Sequence, residues 1–177
     1  RSVLVNNEQL FLFGTDTYEV WQNTGAASFP LERINGATGH FGSISSWGPV
    51  RLDGRVYFLG GNDQGRVIAY VMDGFTPKRI STYAEEAAWD TGSQPTNVIS
   101  YGYTEEGHSF WVFHIGSQCW AFDATTGAWH QRAAWDGANF TTYPTYFHTY
   151  IAEFGGGKHI TGGLLNGTIY ESSVNIY

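Results

Sequence analysis

The sequence predicts an all-β protein of the β-propeller type, with about four repeats of antiparallel strands. Aromatic residues make up 17% of the 177 residues and 23 residues are glycine, a composition typical of strands joined by tight turns. Short aromatic and β-branched runs alternate with turn-forming pairs. Strand-turn-strand units begin near Gln9, Arg55, His108 and Lys158, at intervals of 46, 53 and 50 residues. A blade of about four strands recurs at ~40–50 residues.

Asparagine or aspartate followed by glycine marks the predicted turns, because such pairs supply the positive φ angles of two-residue hairpins. Five pairs occur: Asn35-Gly36, Asp53-Gly54, Asp73-Gly74, Asp136-Gly137 and Asn166-Gly167. Longer hairpin loops are predicted at 62–65 and 123–127, and in the second loop Asp123 can cap the turn.

The predicted strands flank these turns. Paired strands are predicted at 9–14 with 17–22, 55–60 with 66–72, and 108–115 with 118–123. Preceding strands are predicted at 3–5, 43–50, 97–103 and 146–154, and following strands at 29–34, 75–80, 128–132 and 174–177. Each repeat therefore has the strand content of one blade.

We predict one domain over 1–177, with repeats at roughly 1–36, 37–92, 93–138 and 139–177. Four blades is the lower limit for ring closure, so the chain is expected to be part of a larger propeller. The first residue is Arg1 rather than Met, which also favours a piece of a longer protein. A β-sandwich of short hairpins is the alternative, although sandwiches do not repeat at this interval.

One segment between the second and third repeats breaks the strand pattern. Thr82 followed by Glu85 forms a capping-box sequence, and the alanines and glutamates up to Trp89 favour a helix. We predict a short helix near 82–89.

The charge and the composition exclude several classes of function. The net charge is −7 and no basic run occurs, which argues against binding nucleic acid through its phosphates or by sequence. No apolar run approaches the ~18 residues of a membrane span. The single cysteine, Cys119, excludes an internal disulfide framework and a cysteine-based zinc site, and we expect a buried, inert thiol.

No catalytic, cofactor-binding or metal-binding residues are predicted, so the sequence does not indicate an enzyme. The adjacent carboxylates at 85–86 and 105–106 point in different directions and are expected on solvated surfaces. His108 and His114 can share a strand face but lack a third metal ligand nearby. The glycine run at 155–157 before Lys158 lacks the spacing of a phosphate-binding loop.

The seven tryptophans allow two interpretations. They are Trp21, Trp47, Trp89, Trp111, Trp120, Trp129 and Trp135. Large rings fill the space between packed blades, and Trp129 directly follows a predicted turn where such packing is expected. Exposed rings would instead serve an interaction surface, or would stack on sugars beside Asp and Asn.

Four segments occur in a distinctive order along the chain. They are LFLFGTDTYEVWQNTGAASFPLERI (10–34), TPKRISTYAEEA (76–87), GHSFWVFHIGSQCWAFDATTGAWHQR (107–132) and HITGGLLNGTIYESS (159–173). The most specific element is Ile80-Ser81-Thr82 with Glu85 three residues on. This order resembles the packaged-DNA stabilisation protein, or tail hub, family of short-tailed bacteriophages.

The resemblance implies a non-enzymatic structural protein of the virion. It implies propeller-like β structure and a tail hub subunit that closes the portal channel and stabilises packaged DNA. The implied partners are the portal, the adaptor, a tail needle or tailspikes, and further copies in a homo-oligomeric ring. The implied location is the phage tail, after assembly in the host cytoplasm, and no cofactor is implied. Candidate partner-contact residues lie on the predicted helix: Thr82, Glu85, Glu86 and Trp89.

Two other functions share the predicted fold. A carbohydrate-binding or glycoside-cleaving propeller would place exposed rings beside carboxylates ~5–9.5 Å apart. A cellular protein-interaction propeller would have the same fold without virion partners, and fold alone does not separate these functions.

Overall fold

The computed structural model describes residues 2–61, 65–90, 95, 97–163 and 167–173. These residues form antiparallel strands and one short helix. The strands make four sheets that follow one another along the chain. The prediction of an all-β, propeller-like fold with about four repeats is confirmed. Two compact units divide the chain, one over 1–98 and one over 99–177. The single domain over 1–177 and its repeat boundaries stay predictions.

The first unit contains two four-stranded meanders and the helix. Sheet 1 has the order β1-β2-β3-β4, with β1 (Ser2–Asn6), β2 (Gln9–Phe13), β3 (Tyr18–Asn23) and β4 (Leu31–Gly39). Sheet 2 has the order β5-β6-β7-β8, with β5 (Val50–Leu52), β6 (Arg55–Gly61), β7 (Val67–Asp73) and β8 (Thr76–Arg79). The helix α1 (Tyr83–Trp89) follows β8.

The second unit also contains two meanders. Sheet 3 has the order β13-β12-β11-β10-β9, with β9 (Ile99–Glu105), β10 (His108–Ile115), β11 (Gln118–Asp123), β12 (Ala128–Trp135) and β13 (Phe140–Thr142). Sheet 4 has the order β14-β15-β16, with β14 (Thr145–Ile151), β15 (Lys158–Gly163) and β16 (Ile169–Ser172). Within each unit the first strands of the two sheets contact each other, β1 with β5 and β9 with β14.

Among the described residues one Asx-Gly pair forms the predicted two-residue hairpin, whereas Asp136-Gly137 begins a four-residue loop, 136–139, between β12 and β13. Asp53-Gly54 joins β5 to β6 with positive φ at both residues. The loop at 123–127 is closed by Asp123, which accepts the amide of Thr125 at 2.9 Å and the hydroxyl of Thr126 at 2.7 Å. Asn7 and Glu8 also adopt positive φ between β1 and β2, a turn without glycine that the sequence pattern did not indicate.

The core of the first unit lies between sheets 1 and 2. The buried cluster contains Phe11, Phe13, Tyr18, Val20 and Ala37 of sheet 1 with Val56, Phe58, Ile68, Tyr70 and Met72 of sheet 2. The Tyr18 hydroxyl donates to the carbonyl of Phe75, which joins the two sheets at the edge of this core. Apart from Ala37 of β4, every buried residue of this cluster lies on β2, β3, β6 or β7.

The core of the second unit is richer in aromatic rings. One face of sheet 3 buries Tyr101, Tyr103, Phe110, Val112, Cys119 and Ala121. On another side of the sheet the ring of Trp129 packs 4.7 Å from Phe122 and 6.1 Å from Trp111, between centroids. Trp129 therefore packs among aromatic rings, as expected for a residue directly after the turn.

The prediction of a strand at 43–50 is wrong except for Val50. Ser43 donates its hydroxyl to the carbonyl of Ser45 at 2.7 Å, and Ser45 donates to Val98 at 2.6 Å. Such local side-chain bonds compete with strand pairing. A Cβ on Gly42 would lie 1.8 Å from the carbonyl oxygen of Thr15, so this segment packs closely against a loop rather than pairing as a strand.

Two predicted turns have different structures. Asn35 and Gly36 lie inside β4, where the register with β3 shifts between Glu19 and Trp21. Gly36 has φ 78°, so the pair forms a bulge rather than a hairpin turn. The turn after β7 is formed by Gly74 and Phe75, because Asp73 pairs with Thr76.

Some predicted segments lie outside the described residues. They are the last strand at 174–177, the loop at 62–65 except for Gly65, and Asn166 of the final Asx-Gly pair.

Candidate functional site

The helix that carries the predicted contact residues begins with a complete capping box. The Thr82 hydroxyl accepts the amide of Ala84 at 3.4 Å, and the Thr82 amide donates to Glu85 Oε2 at 2.8 Å. Burial alone would raise the pKa of Glu85, but the hydrogen bonds from Thr82 outweigh it and lower this pKa below its usual range. The sequence prediction of a short helix here is confirmed.

The inner side of α1 is anchored to sheet 2 through Glu86. Arg79 of β8 donates to both carboxylate oxygens, from Nε at 2.7 Å and from Nη2 at 2.5 Å. The Ser81 hydroxyl donates to Glu86 Oε1 at 2.6 Å and accepts the amide of Ala69 in β7 at 3.0 Å. Glu86 is only 3% exposed, so the expectation that it lies on a solvated face is wrong.

The last residue of α1 is buried, and the residue that follows it is exposed. Trp89 is buried, while Asp90 is exposed and lies 3.9 Å from Arg66. The Arg66 guanidinium also lies 5.8 Å from the ring centroid of Tyr83, at the other end of the helix. One guanidinium group therefore lies near side chains from both ends of α1.

The four predicted contact residues divide into two groups. Thr82 is exposed and Glu85 is half-buried, whereas Glu86 and Trp89 are buried. A neighbouring molecule would therefore touch the first two, and the other two would act by holding the helix in place. The role of all four in partner contact stays a prediction.

Sequence reasoning missed Tyr83, whose side chain is 69% exposed. Ala84, Ala87 and Ala88 are also exposed, so the outer side of α1 presents small side chains and one aromatic ring. The signal was present in the spacing, because Tyr83 and Ala87 are four residues apart and lie on one helix face.

The histidines of β10 have separate partners. His108 Nδ1 lies 2.8 Å from Asp123 Oδ2, and His114 Nε2 lies 2.7 Å from the carbonyl of Thr145. Burial raises the pKa of Asp123, but the bonds from Thr126, His108 and Thr125 outweigh it and the pKa is lowered. Among the described residues no group of three His, Cys, Asp or Glu side chains is placed to hold a metal ion.

A pair of histidines bridges β14 and β15. His148 Nε2 and His159 Nδ1 are 2.8 Å apart, and the His148 ring stacks 4.8 Å from Tyr103 of sheet 3. Burial, followed by the nearby His159, lowers the pKa of His148 to about 4. The His148 ring is therefore neutral near pH 7.

Cys119 lies in the core of the second unit. Burial raises the pKa of its thiol to about 12. A protonated, buried thiol is a poor nucleophile, in agreement with the expectation of an inert cysteine.

Three grooves among the described residues lack the geometry needed for glycoside cleavage. Their volumes are about 540, 250 and 130 Å³, and only the smallest has a carboxylate, Asp73, in its lining. Cleavage requires two carboxylates facing one bond. Exposed rings do occur, among them Trp47 at 72% and Phe140 at 78%.

The described part of the chain has no helix with the length and apolar character required to cross a membrane.

Comparisons with known proteins identify one family. A family model described as bacteriophage P22 Gp10, beta-propeller, matches residues 2–176. Among solved structures, the crystal structure of TolB from Acinetobacter baumannii is similar with a TM-score of 0.40 and 14% identity. That alignment covers 96% of this chain, and the chain spans 43% of the TolB chain. No curated protein matches the sequence.

Proposed function

Because the chain belongs to the bacteriophage P22 Gp10 beta-propeller family, a family of phage structural proteins, we propose that it is a tail hub subunit. In this role it closes the portal channel after packaging and stabilises the packaged DNA. The observation that carries the proposal is the family match over residues 2–176. The order of segments that resembles the tail hub family lies within the matched residues and agrees with this family.

The physical character of the chain suits contact with a DNA channel. The net charge of −7 repels the phosphates of a duplex, so DNA can move past such a surface without being held. The sheets are meanders with mostly short turns, and short connections leave little of the chain free to move under load.

The proposed role is non-enzymatic. In the described residues Cys119 is buried, the histidines of β10 have separate partners, and no three-ligand metal cluster is present. The family match over residues 2–176 favours a structural function over the carbohydrate-cleaving alternative.

The proposed partners are the portal and adaptor proteins, with a tail needle or tailspikes attached further along the tail. Copies of the subunit would form a homo-oligomeric ring in the virion, assembled in the host cytoplasm. The outer side of α1, with Thr82, Tyr83 and Ala87 exposed, is the proposed contact surface between neighbours.

Assembly on purified components tests this function. The full-length protein is mixed with portal and adaptor, and complexes are measured by sedimentation and negative-stain microscopy. We expect a ring below the adaptor, together with nuclease protection of DNA in filled heads. No association at micromolar concentration, or unprotected DNA, would contradict the proposal.

A pair of variants tests the contact surface. Ala87→Arg adds a bulky charge to the exposed side of α1, and arginine remains a good helix former. Thr76→Arg makes a similar change at an exposed residue of β8 and serves as the matched control. We expect only Ala87→Arg to weaken ring formation. Equal assembly of both variants would exclude this surface from the contact.

A further inference from the structure

Arg132 of β12 is held between aromatic rings in the second unit. Its guanidinium carbon lies 5.5 Å from the ring centroid of Tyr103, 5.3 Å from Phe110 and 6.0 Å from Tyr143. The side chain is half-buried. Such packing replaces part of the water around a cation with ring faces, and it fixes where the charge is located.

Two hydrogen bonds orient the guanidinium. Nη2 donates to the Tyr103 hydroxyl at 2.7 Å, and Nε donates to His130 Nε2 at 3.3 Å. Among the described atoms, Nη1 has no acceptor. The guanidinium plane is therefore held by neutral groups, and donors remain available for another acceptor.

Arg132 also lacks a counter-ion within the described chain. Arg33 pairs with Glu19, Arg66 with Asp90 and Arg79 with Glu86. No ion pair among the described residues includes Arg132. A partly desolvated cation without a carboxylate is unusual in a chain of net charge −7.

A polar groove opens beside this arginine. Its volume is about 540 Å³, and Arg132 lines it together with Ser117, Gln118, Gln131, Ala133, Phe140, Thr141 and Thr142. The lining offers hydroxyl and amide groups as further hydrogen-bonding partners. It contains no acidic side chain that would neutralise the arginine.

We propose that this groove binds a carboxylate presented by an extended segment of a protein partner, with Arg132 as the anchoring charge. A planar guanidinium matches a carboxylate through paired N–H donors, and the pair is stronger where aromatic rings exclude water. A nucleic acid is the less suitable occupant, because Arg132 is the only cationic residue in the lining and backbone binding needs several such charges.

The rim of the groove suits an extended partner chain. β13 pairs with β12 along one edge, and no described strand pairs with its other edge. Phe140 of β13 is 78% exposed and Trp135 of β12 is 59% exposed, with ring centroids 5.1 Å apart. An open strand edge accepts backbone hydrogen bonds, and the rings supply apolar contact beside the charge.

A matched pair of peptides tests the proposal on the whole protein. The ¹⁵N-labelled chain is titrated with acetyl-Val-Glu-Val-amide and, separately, with acetyl-Val-Gln-Val-amide. We expect the Glu peptide to shift the Arg132 Nε–Hε signal and the backbone amides of Gln118 and Thr141 saturably. The Gln peptide should produce no saturable shift, since it lacks the charge. Equal binding of both peptides, or of neither, would overturn the proposal.

Variants and a second anion complete the test. Arg132→Gln should weaken Glu-peptide binding about tenfold or more, and Arg132→Lys by a smaller factor, because lysine keeps the charge but loses the planar fork. Arg51→Gln removes a charge from an exposed residue of the first unit and should leave binding unchanged. Inorganic phosphate that binds more tightly than acetate would reject the carboxylate assignment.

The wild-type titration decides the question without any variant, so misfolding of Arg132→Gln would not prevent a result. Because the readout is local to the groove, its failure would leave the assembly test on portal and adaptor unaffected.

Discussion

Arg79 holds both carboxylate oxygens of Glu86, and the two partners differ sharply in burial. The Glu86 side chain is 3% exposed, whereas that of Arg79 is 51% exposed. Removing the arginine leaves a buried, uncompensated negative charge, while removing the glutamate frees an arginine that water can solvate. Loss of Arg79 should therefore lower the stability of the chain more than loss of Glu86.

We expect Arg79→Met to lower the free energy of unfolding by about 3 kcal/mol and Glu86→Gln by about 1–2 kcal/mol. Urea unfolding monitored by tryptophan fluorescence measures both changes. Arg51→Met, at an exposed position of β5, is the control and should have little effect. A larger loss from Glu86→Gln than from Arg79→Met would contradict the account.

The capping box of α1 gives a second prediction. Thr82→Ala removes the acceptor for the Ala84 amide and one of the groups that hold Glu85. We expect a loss of about 1 kcal/mol in the free energy of unfolding. Thr82→Ser keeps the hydroxyl and should lose far less. Hydrogen exchange at the amides of 84–86 provides a local measurement, and equal exchange in both variants would count against the cap.

The lowered pKa of His148 makes the stability of the chain depend on pH. The pKa of His148 is about 4 in the folded chain and ~6.5 in an unfolded chain. Between these values the unfolded chain binds a proton that the folded chain does not, so stability is full above pH ~6.5 and falls as the pH drops toward 4. Allowing for partial solvent exposure, we expect a loss of about 2 kcal/mol.

Urea midpoints between pH 7.5 and 4.5 test this dependence, with an NMR titration of the His148 ring. His148→Gln should make the acid decline shallower without abolishing it, because burial also lowers the pKa of His114 and His130. His40→Gln, at an exposed position, is the matched control. A decline that is unchanged in His148→Gln would refute the assignment.

Asp123 provides a fourth prediction. Its carboxylate accepts bonds from Thr125, Thr126 and His108, so Asp123→Asn should cost about 1–2 kcal/mol. Asp136→Asn is the matched control, since Asp136 accepts the amides of Ala138 and Asn139 in an exposed turn. Thermal unfolding of both variants compares them, and the larger shift is expected for Asp123→Asn.

Strands with strong local signals were predictable, and those without them were not. The sequence pattern predicted β10 and β11 with the observed ends, because each is a run of aromatic and β-branched residues bounded by turn residues. The prediction of a strand at 43–50 failed because the hydroxyls of Ser43 and Ser45 donate to backbone carbonyls, those of Ser45 and Val98. The prediction of a hairpin turn at Asn35-Gly36 failed because a glycine with positive φ occurs in β-bulges as well as in hairpin turns.

In the candidate site too, only the interactions between residues close in sequence could be predicted. Thr82 and Glu85 interact within one helical turn, so their spacing predicted the cap. The burial of Glu86 depends on Arg79 and Ser81 folding back beneath the helix, which no spacing rule describes. The setting of Arg132 depends on Tyr103, which lies 29 positions away in sequence and meets it only through the folded sheet.

In all four sheets each strand pairs with the one that precedes it in sequence. Loop closure during folding therefore spans few residues at every step, which lowers its entropic cost. We expect each sheet to begin forming as soon as its last strand leaves the ribosome, before the next sheet has been synthesised. Such sequential folding would limit the time that open strand edges stay exposed to neighbouring nascent chains.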